Sequence, residues 1–257
     1  MAVEPLDDRR FAGYRRKLIE QIRGRGIDDL AILQLFDRVP RHLFVPEGVW
    51  PRAYEDAAIP IGYGQTASQP SLQALYLSVP QVTPDDTVME IGTGSGFLTA
   101  LLALTADRVY SVERIRELSV RARAVLDQLR IHNVALMVGD GTIESAREAV
   151  GSLLRKPEVS LVLALGAIAS HVCAAELAGP GQLPKPVIAP FVIDTELQGV
   201  PLAGSVSGVP NLSYVTFPSD VRADLREFRQ TVAFQKVALL VNRYMSEAIP
   251  GLTAHYN

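Results

Sequence analysis

The sequence predicts an α/β fold built on a mainly parallel sheet. Short, continuously apolar segments alternate with helix-prone segments through the middle of the chain, which is typical of strands covered by helices on both faces. A glycine-rich stretch, "EIGTGSGF" (90–97), joins the first of these strands to the helix after it. Since such sheets bind ligands at the carboxyl ends of their strands, this turn is where a site is expected.

The elements follow in a regular order. The first fifty residues are predicted to be helical, except for "VPRHLFVP" (39–46), which its prolines should keep extended. Strands are predicted at "TVMEIG" (87–92), "RVYSVE" (108–113), "VALMVGD" (134–140), "VSLVLAL" (159–165) and "PVIAPFV" (186–192). Beyond residue 194, two strand-like segments around a Gly/Ser/Pro-rich turn predict an antiparallel addition to the sheet, and 222–247 a helix.

This order predicts three regions. Residues 1–80 form an N-terminal helical region with a polar loop, residues 81–218 an α/β ligand-binding domain, and residues 219–257 a C-terminal helical extension. No internal repeat or low-complexity tract interrupts them.

Composition excludes several classes of function. A net charge of -3 argues against a nucleic acid or an anionic membrane as partner. The single cysteine, Cys173, rules out an internal disulfide and fits a reducing compartment. The four histidines lack metal-ligand spacing. With no signal segment and no apolar run long enough for a bilayer, we expect a cytoplasmic protein without a metal.

The glycine turn has acidic residues at matching positions. Its three glycines are Gly92, Gly94 and Gly96. They allow a sharp turn and a close approach of a ligand to the backbone. Glu113 ends the second strand, about twenty residues further on, where an acid can accept hydrogen bonds from ribose hydroxyls. Asp140 and Gly141 end the third strand, where they can meet an adenine amino group.

The spacing of the turn selects among nucleoside ligands. No G-x-x-x-x-G-K-[ST] loop occurs, and the glycines follow G-x-G-x-G rather than the dinucleotide pattern. Glu90 precedes the first glycine, and no Lys or Arg lies between Val88 and Asp107 to hold a pyrophosphate. A cationic sulfonium with an α-amino group tolerates such an acid. S-adenosyl-L-methionine therefore fits this turn better than NAD.

Several motifs resemble one family. The segments "KLIEQIRGRGIDD", "VPRHLFVP", "AYEDAAIPIGYGQTASQP", "MEIGTGSGFLTALLA" and "GDG" follow one another between Lys17 and Gly141. In this order and spacing the chain resembles a protein-L-isoaspartate (D-aspartate) O-methyltransferase. The resemblance implies a Rossmann-like class I methyltransferase fold. It also implies transfer of a methyl group from S-adenosylmethionine to the α-carboxylate of an isoaspartyl residue, whose ester then closes to a succinimide.

The resemblance also assigns residues. In "GYGQTASQPSL" (62–72), Ser68 is the implied catalytic serine, and Thr66 and Gln65 belong to the same substrate-facing loop. Ser68 or Ser71 is also predicted to be a helix N-cap, and for Ser68 a catalytic role together with capping is favoured over capping alone. The predicted cofactor-binding residues are Glu90, Gly92, Thr93, Gly94, Ser95, Gly96, Glu113, Arg114, Asp140 and Gly141.

The resemblance weakens after Gly141. Ser160 stands where the family has an aspartate, and "ELAGPGQLPKPVIAP" (176–190) fits the family pattern only in part. His171 and Cys173, in this segment, are read as a surface histidine and a small core residue. Because this region forms much of the family's substrate-facing wall, two alternatives stay open: a carboxylate O-methyltransferase that tailors a peptide or small-molecule natural product, and a non-catalytic S-adenosylmethionine-binding protein. The expected partner is a peptide or protein carrying a carboxylate, with no prediction of oligomeric state.

Overall fold

The computed structural model describes residues 9–139, 143–178, 185–192, 195, 200, 202–204 and 206–216. The chain divides into two compact units, residues 1–163 and 164–257. The N-terminal helical region and the glycine turn thus belong to one unit. The predicted boundaries at 80/81 and 218/219 stay predictions, and the expected helix at 222–247 falls outside the described residues.

The helices of the first unit are α1 (Ala12–Gly24), α2 (Leu30–Arg38), α3 (Pro70–Ser78), α4 (Phe97–Ala103), α5 (Arg116–Gln128) and α6 (Ile143–Leu154). The break between α1 and α2 contains Gly26, whose φ of 86° suits a glycine. Asp29 then caps α2, because its Oδ1 accepts a hydrogen bond from the Ala31 N–H at 2.8 Å.

One local expectation is wrong. Arg41–Phe44, inside the segment predicted to be extended, forms a 3-10 helix. Pro40 precedes it with extended backbone angles, and the Val45 N–H bonds back to the His42 carbonyl at 3.3 Å. Prolines at both ends of the segment stop a longer helix but leave room for this single turn.

The strands of the first unit are β1 (Ile59–Gly62), β2 (Gln65–Ala67), β3 (Thr87–Ile91), β4 (Arg108–Glu113), β5 (Val134–Val138) and β6 (Leu161–Ala164), the last of which ends at the boundary. β1 and β2 form an antiparallel hairpin. β3 pairs in parallel with β4, and β4 with β5. β6 lies on the other side of β3, where the Ser160 N–H donates to the Thr87 carbonyl at 2.9 Å. The predicted α/β fold with a mainly parallel sheet is confirmed.

Burial on both faces explains why β3 has apolar residues at consecutive positions, such as Val88 and Met89. All five of its residues are buried, and so is every residue of α4. α5 instead buries one face, at Leu118, Ala122 and Leu126, in the spacing of an amphipathic helix. The glycine turn therefore lies between a buried strand and a buried helix, on a rigid foundation.

The second unit contains α7 (Ala167–Ala178), β7 (Val187–Val192), β8 (Leu202–Ala203), β9 (Val206–Ser207) and β10 (Leu212–Thr216). β8 and β9 are antiparallel, but they form a small sheet of their own. β10 pairs in parallel with β7. Among the described residues, the predicted antiparallel addition corresponds to this short hairpin, with two residues in each strand. Within the described ranges, no helix has both the length and the apolar character needed to cross a bilayer.

Candidate active site

The glycine turn begins directly after β3 and has a backbone that glycine accommodates best. Gly92, Gly94 and Gly96 have φ angles of 107°, 54° and 85°, which residues with a Cβ rarely adopt. The N–H groups of Gly92 and Thr93 both donate to the Val112 carbonyl, at 2.9 and 3.3 Å. The turn is therefore fastened to the neighbouring strand, β4.

Glu113, the last residue of β4, provides a second attachment. Its Oε2 accepts a hydrogen bond from the Gly94 N–H at 2.8 Å, and its Oε1 accepts one from the Ile115 N–H at 2.9 Å. Its side chain is buried. Each carboxylate oxygen has a second lone pair, so Glu113 can hold the turn and still accept a further hydrogen bond.

Glu90 lies beneath the turn in a buried polar network. Its Oε2 accepts hydrogen bonds from the Thr99 and Ser111 hydroxyls, both at 2.5 Å. The hydroxyl of Thr93 lies 2.6 Å from that of Ser111. Because the Ser111 hydrogen points to Glu90, Thr93 must donate to Ser111. The network therefore connects β3, β4, α4 and the turn itself.

Burial changes the acidity of Glu90. Its side chain is fully buried, and its Oε1 has no hydrogen-bond partner within the described part of the chain. Desolvation raises its pKa to about 7, with a further contribution from the charge of Glu113, while the hydrogen bonds from Ser111 and Thr99 act in the opposite direction. Glu90 thus supports the turn from below, and its predicted contact with a cofactor stays a prediction.

Two glycines of the turn face different surroundings. A Cβ on Gly96 would lie 2.7 Å from the Ala122 Cβ and 3.3 Å from its Cα, so Gly96 allows the start of α4 to pack against α5. A Cβ on Gly94 would lie 3.8 Å from the Ile61 Cδ1. Gly94 therefore faces the β1–β2 hairpin.

The hairpin carries the three residues predicted to be catalytic. Thr66 is exposed, while Gln65 and Ser68 are half-buried. Gln65 Nε2 reaches the Tyr63 carbonyl at 3.5 Å. Within the described residues, the Ser68 hydroxyl makes no hydrogen bond. It is available for a ligand.

The capping interpretation of Ser68 and Ser71 is wrong. Gln69 occupies the N-cap position of α3, and no side chain at that position forms a capping hydrogen bond. The Ser71 N–H instead donates to Asp56 Oδ1 at 2.8 Å. A residue fifteen positions earlier therefore caps the helix, and Ser68 is not needed for it.

Contacts join the hairpin to α5, and a cleft lies between the hairpin and the glycine turn. Arg121, on α5, donates from Nη2 to the Ile61 carbonyl at 2.9 Å. Its guanidinium also lies 5.4 Å from the centre of the Tyr63 ring, within range of a cation–π contact. A cleft here is lined by Leu43, Phe44, Val45, Pro46, Ile61, Gly94, Ser95, Leu118, Arg121 and Val125. Hairpin and turn thus line the same cleft.

The other predicted cofactor residues have different positions. Thr93 is buried, and Ser95 lines the cleft, with its Oγ 3.3 Å from the Phe97 N–H. Arg114 is half-buried directly after β4. Asp140 and Gly141 lie outside the described residues. Contacts of all these residues with a cofactor stay predictions.

Sequence reasoning missed the charged residues that hold the hairpin: Arg41, Asp56 and Arg121. In the sequence, Arg41 and Asp56 could have been noticed because they stand in the motifs "VPRHLFVP" and "AYEDAAIP". In each motif a charged residue lies close to residues that are buried in the fold, such as Phe44 and Tyr54. Arg121 gave no local signal, because on α5 it resembles any exposed helix residue.

A family model decides the classification. The model described as protein-L-isoaspartate(D-aspartate) O-methyltransferase (PCMT) matches residues 14–149, which is more than half of the chain. The chain belongs to the PCMT family. The match includes the hairpin, the glycine turn and Glu113. The predicted enzyme class and the S-adenosylmethionine dependence are thereby confirmed.

Similar proteins agree with the PCMT assignment. A protein-L-isoaspartate O-methyltransferase of Trichlorobacter lovleyi is 45% identical over 174 residues, which are 67% of this chain and 77% of the relative. Protein-L-isoaspartate O-methyltransferase 1 of Pelobacter propionicus is 43% identical over 179 residues, which are 69% of this chain and 81% of that relative. A solved structure from Plasmodium falciparum, named beta-aspartate methyltransferase (PCMT) and in complex with S-adenosyl-L-homocysteine, has a TM-score of 0.50 and 23% identity, and covers 67% of this chain and 84% of its own. This last likeness concerns the fold alone.

Two residues of the divergent PCMT segment have structural roles. Ser160 precedes β6, and its Oγ accepts a hydrogen bond from the N–H of Thr87, the first residue of β3, at 2.8 Å. It therefore lies at the amino end of β3, whereas the glycine turn lies at the carboxyl end of that strand. Cys173 is fully buried, and desolvation raises the pKa of its thiol to about 12, which makes it a core residue rather than a nucleophile.

Proposed function

We propose that this chain methylates the α-carboxylate of L-isoaspartyl residues in damaged proteins or peptides, with Ser68, Thr66 and Gln65 on the substrate side and the glycine turn on the cofactor side. The observation that best supports this proposal concerns Ser68. Its hydroxyl lies in the family loop "GQTASQP" and has no hydrogen-bond partner among the described residues. Family membership supports the substrate class. Neither a natural-product substrate nor a non-catalytic role gains comparable support.

The cofactor residues fit S-adenosylmethionine in two respects. The Gly92–Gly96 backbone at the end of β3 carries no side chain at alternate positions, so a ligand can approach it closely. Glu113, at the end of β4, keeps acceptor capacity for a ribose hydroxyl beyond its bonds to Gly94 and Ile115. When bound there, the cofactor would supply the methyl group from its sulfonium, with the neutral thioether of S-adenosylhomocysteine as the leaving group.

The protein side of the reaction is mainly orientation. A carboxylate is already nucleophilic at neutral pH, so the site needs no strong base. Ser68 and Thr66 hydroxyls can hold the substrate carboxylate by hydrogen bonds that leave one oxygen lone pair free for attack, and Gln65 can bind the adjoining peptide. Such alignment is where most of the rate acceleration arises in a transfer of this kind.

One assay tests the proposal. The protein is incubated with methyl-labelled S-adenosylmethionine and two peptides that differ only in isoaspartate versus aspartate at one position. We expect base-labile label on the isoaspartyl peptide alone. Equal labelling of both peptides would indicate a less selective carboxylate methyltransferase. Cofactor binding without any transfer would favour the non-catalytic reading.

Two further predictions attach to this proposal. The cytoplasmic location and the absence of a nucleic-acid partner rest on composition and stay predictions. The oligomeric state is open, and size-exclusion chromatography with light scattering would determine it.

A further inference from the structure

Arg41 is a buried charge that contacts the backbone of the substrate loop. Only 1% of its surface is exposed. Its Nη1 donates to the Ala53 carbonyl at 2.6 Å, and its Nη2 donates to the Ser68 carbonyl at 3.0 Å. One planar guanidinium therefore joins two segments that are separated by fifteen residues of chain, one of them at the proposed catalytic serine.

The Arg41 charge is retained at a cost. Burial lowers the pKa of its guanidinium to about 10, and the nearby charge of Asp56 works against that shift. Its Nε lacks a hydrogen-bond partner among the described residues, and its guanidinium carbon lies 5.7 Å from the centre of the Phe97 ring. Phe97 is the first residue of α4, directly after the glycine turn. Arg41 thus contacts both the Ser68 backbone and the start of that helix.

Asp56 fixes the same loop three residues later. Its side chain is 6% exposed, and its Oδ1 accepts the hydrogen bond from the Ser71 N–H at 2.8 Å. Its Oδ2 lies 3.6 Å from Arg25 Nε, an ion-pair distance that is too long for a hydrogen bond. Since Pro70 has no N–H, Ser71 carries the first N–H within α3, and a negative charge here also suits the helix dipole.

The two contacts enclose the proposed catalytic residue. Ser68 is held at its carbonyl by Arg41, and α3 is held at Ser71 by Asp56, so little freedom is left between them. The 53–56 segment takes part in both contacts, because it contains the Ala53 carbonyl that accepts from Arg41 and also contains Asp56 itself. Neither has been placed in contact with a substrate or a cofactor.

We propose that Arg41 and Asp56 are positioning residues that hold the Ser68 backbone in the orientation required for methyl transfer. This inference rests on the proposed function, because it takes Ser68 as the residue that is positioned. The physical basis is that a small displacement of an aligned group lowers the rate of the chemical step far more than it weakens binding. Loss of either contact should therefore lower kcat and leave cofactor affinity unchanged.

Asp56 offers the cleaner test, because the chain has a matched control. Asp29 caps α2 in the same manner, with its Oδ1 2.8 Å from the Ala31 N–H. Asp56→Ala and Asp29→Ala each remove one capping carboxylate. Because Asp29 is exposed and Asp56 is buried beside Arg41, Asp56→Ala should destabilise the protein more, so kcat is compared at a temperature where both variants are folded. Asp56→Asn keeps an oxygen acceptor for the Ser71 N–H and serves as the rescue variant.

We expect Asp56→Ala to lower kcat on an isoaspartyl peptide by about tenfold or more. The affinity of Asp56→Ala for S-adenosylhomocysteine, measured by calorimetry, should change by less than about twofold. The kcat of Asp29→Ala should also change by less than about twofold, because Asp29 does not contact the aligned loop. Asp56→Asn should recover most of the lost turnover. Equal kcat for Asp56→Ala and Asp29→Ala overturns the inference, and so does a loss of cofactor affinity as large as the loss of kcat.

Arg41 is tested against Arg123, which donates to the Val134 carbonyl at 2.9 Å, at the start of β5 and away from the cleft. Arg41→Lys retains a charge but has a single donor centre that cannot reach both carbonyls as a planar fork does. We expect a kcat loss of about tenfold for Arg41→Lys and none for Arg123→Gln. If Arg41→Lys keeps the wild-type kcat, Arg41 is structural only.

Hydrogen exchange separates failure of this inference from failure of the proposed function. An absence of methyl transfer by the wild-type chain would refute the proposed function alone. The amide of Ser71 should still exchange faster in Asp56→Ala than in the wild type or in Asp29→Ala. Unchanged exchange at Ser71 would refute the positioning contact, whatever the activity.

Discussion

The glycine turn after β3 and the β1–β2 hairpin contribute the two halves of the proposed site, and they are held by different means. The turn is fixed by its own strands: the Val112 carbonyl, Glu113 and the buried carboxyl of Glu90 all belong to β3 or β4. The hairpin and the segment that follows it are fixed from outside, by Arg41, Asp56 and Arg121.

This difference separates cofactor binding from alignment of the substrate. The glycine turn is the half of the proposed site that would bind the cofactor. Because it lies next to β3 and β4 in the fold, few residues from other elements are needed to hold it. The proposed substrate half depends on three charged side chains from other elements, and none of them belongs to the turn. Substitutions in the turn should therefore alter stability or cofactor affinity, whereas substitutions around the hairpin should alter kcat.

The largest effect is expected for the turn glycine Gly96. Gly96→Ala places a Cβ 2.7 Å from the Ala122 Cβ at a φ of 85°, and strain plus overpacking should lower the free energy of unfolding by about 3 kcal/mol. Gly64, in the hairpin, has a φ of 67° with no atom within 4 Å of its Cβ position, so Gly64→Ala should cost about 1 kcal/mol. Urea denaturation measures both. Equal losses would contradict the packing role of Gly96.

The next effect concerns the hairpin. Ser68→Ala should lower kcat on the isoaspartyl peptide roughly 100-fold, because a donor aimed at the reacting carboxylate is lost. Affinity for S-adenosylhomocysteine should stay within about twofold of the wild type, since no cofactor contact is removed. Ser78→Ala, at the end of α3, is the control. If cofactor affinity falls with kcat, Ser68 has a structural role.

Glu90 should make stability depend on pH. Its pKa of about 7 in the folded chain exceeds its ordinary value of 4.5, so between these values the folded state binds more protons than the unfolded state. Stability should therefore fall as pH rises from 4.5 to 7, by about 3 kcal/mol in the contribution of this residue. Denaturation of Glu90→Gln should lack that loss, while Glu20→Gln, at an exposed position of α1, should keep it. A Glu90→Gln profile parallel to the wild type would contradict the buried carboxyl.

The smallest effect is expected at Glu113. Glu113→Gln leaves one oxygen acceptor in place of two, so either the Gly94 or the Ile115 hydrogen bond is lost. S-adenosylhomocysteine affinity should fall about tenfold, with kcat at saturating cofactor nearly unchanged. Calorimetry and initial rates measure the two, with Glu117→Gln on α5 as control. A loss of kcat with normal affinity would break the division between the two halves of the site.

Much of the fold could be predicted because its signals are local. The apolar runs of β3 to β6 and the helical spacing of α5 are readable one segment at a time. The predicted extended conformation of 39–46 was wrong, because prolines restrict their neighbours without excluding a single 3-10 turn. The partner of β10 could not be read either, since a short apolar strand pairs in parallel or antiparallel fashion according to the strand that lies beside it.

The candidate site divides in the same way. Gly92, Gly94 and Glu113 could be found because their spacing along the chain carries the information. The cap of α3 could not, because its acceptor comes from Asp56 and the local serines only resembled caps. Glu90 was predicted as a cofactor contact, which stays a prediction. Its place in a buried network could not be predicted, because it depends on Ser111 of the adjacent strand.

The sequence by itself determined the fold class, the place of the glycine turn and the family. These follow from short-range patterns: strand and helix periodicity, glycines at fixed spacing, and a loop motif. Only the tertiary structure decided what holds the substrate loop in place. Arg41 reaches Ser68 across 27 residues, and Arg121 reaches Ile61 across 60. Hydrogen bonds at such separations depend on how helices and loops pack, and no local pattern in the chain encodes them.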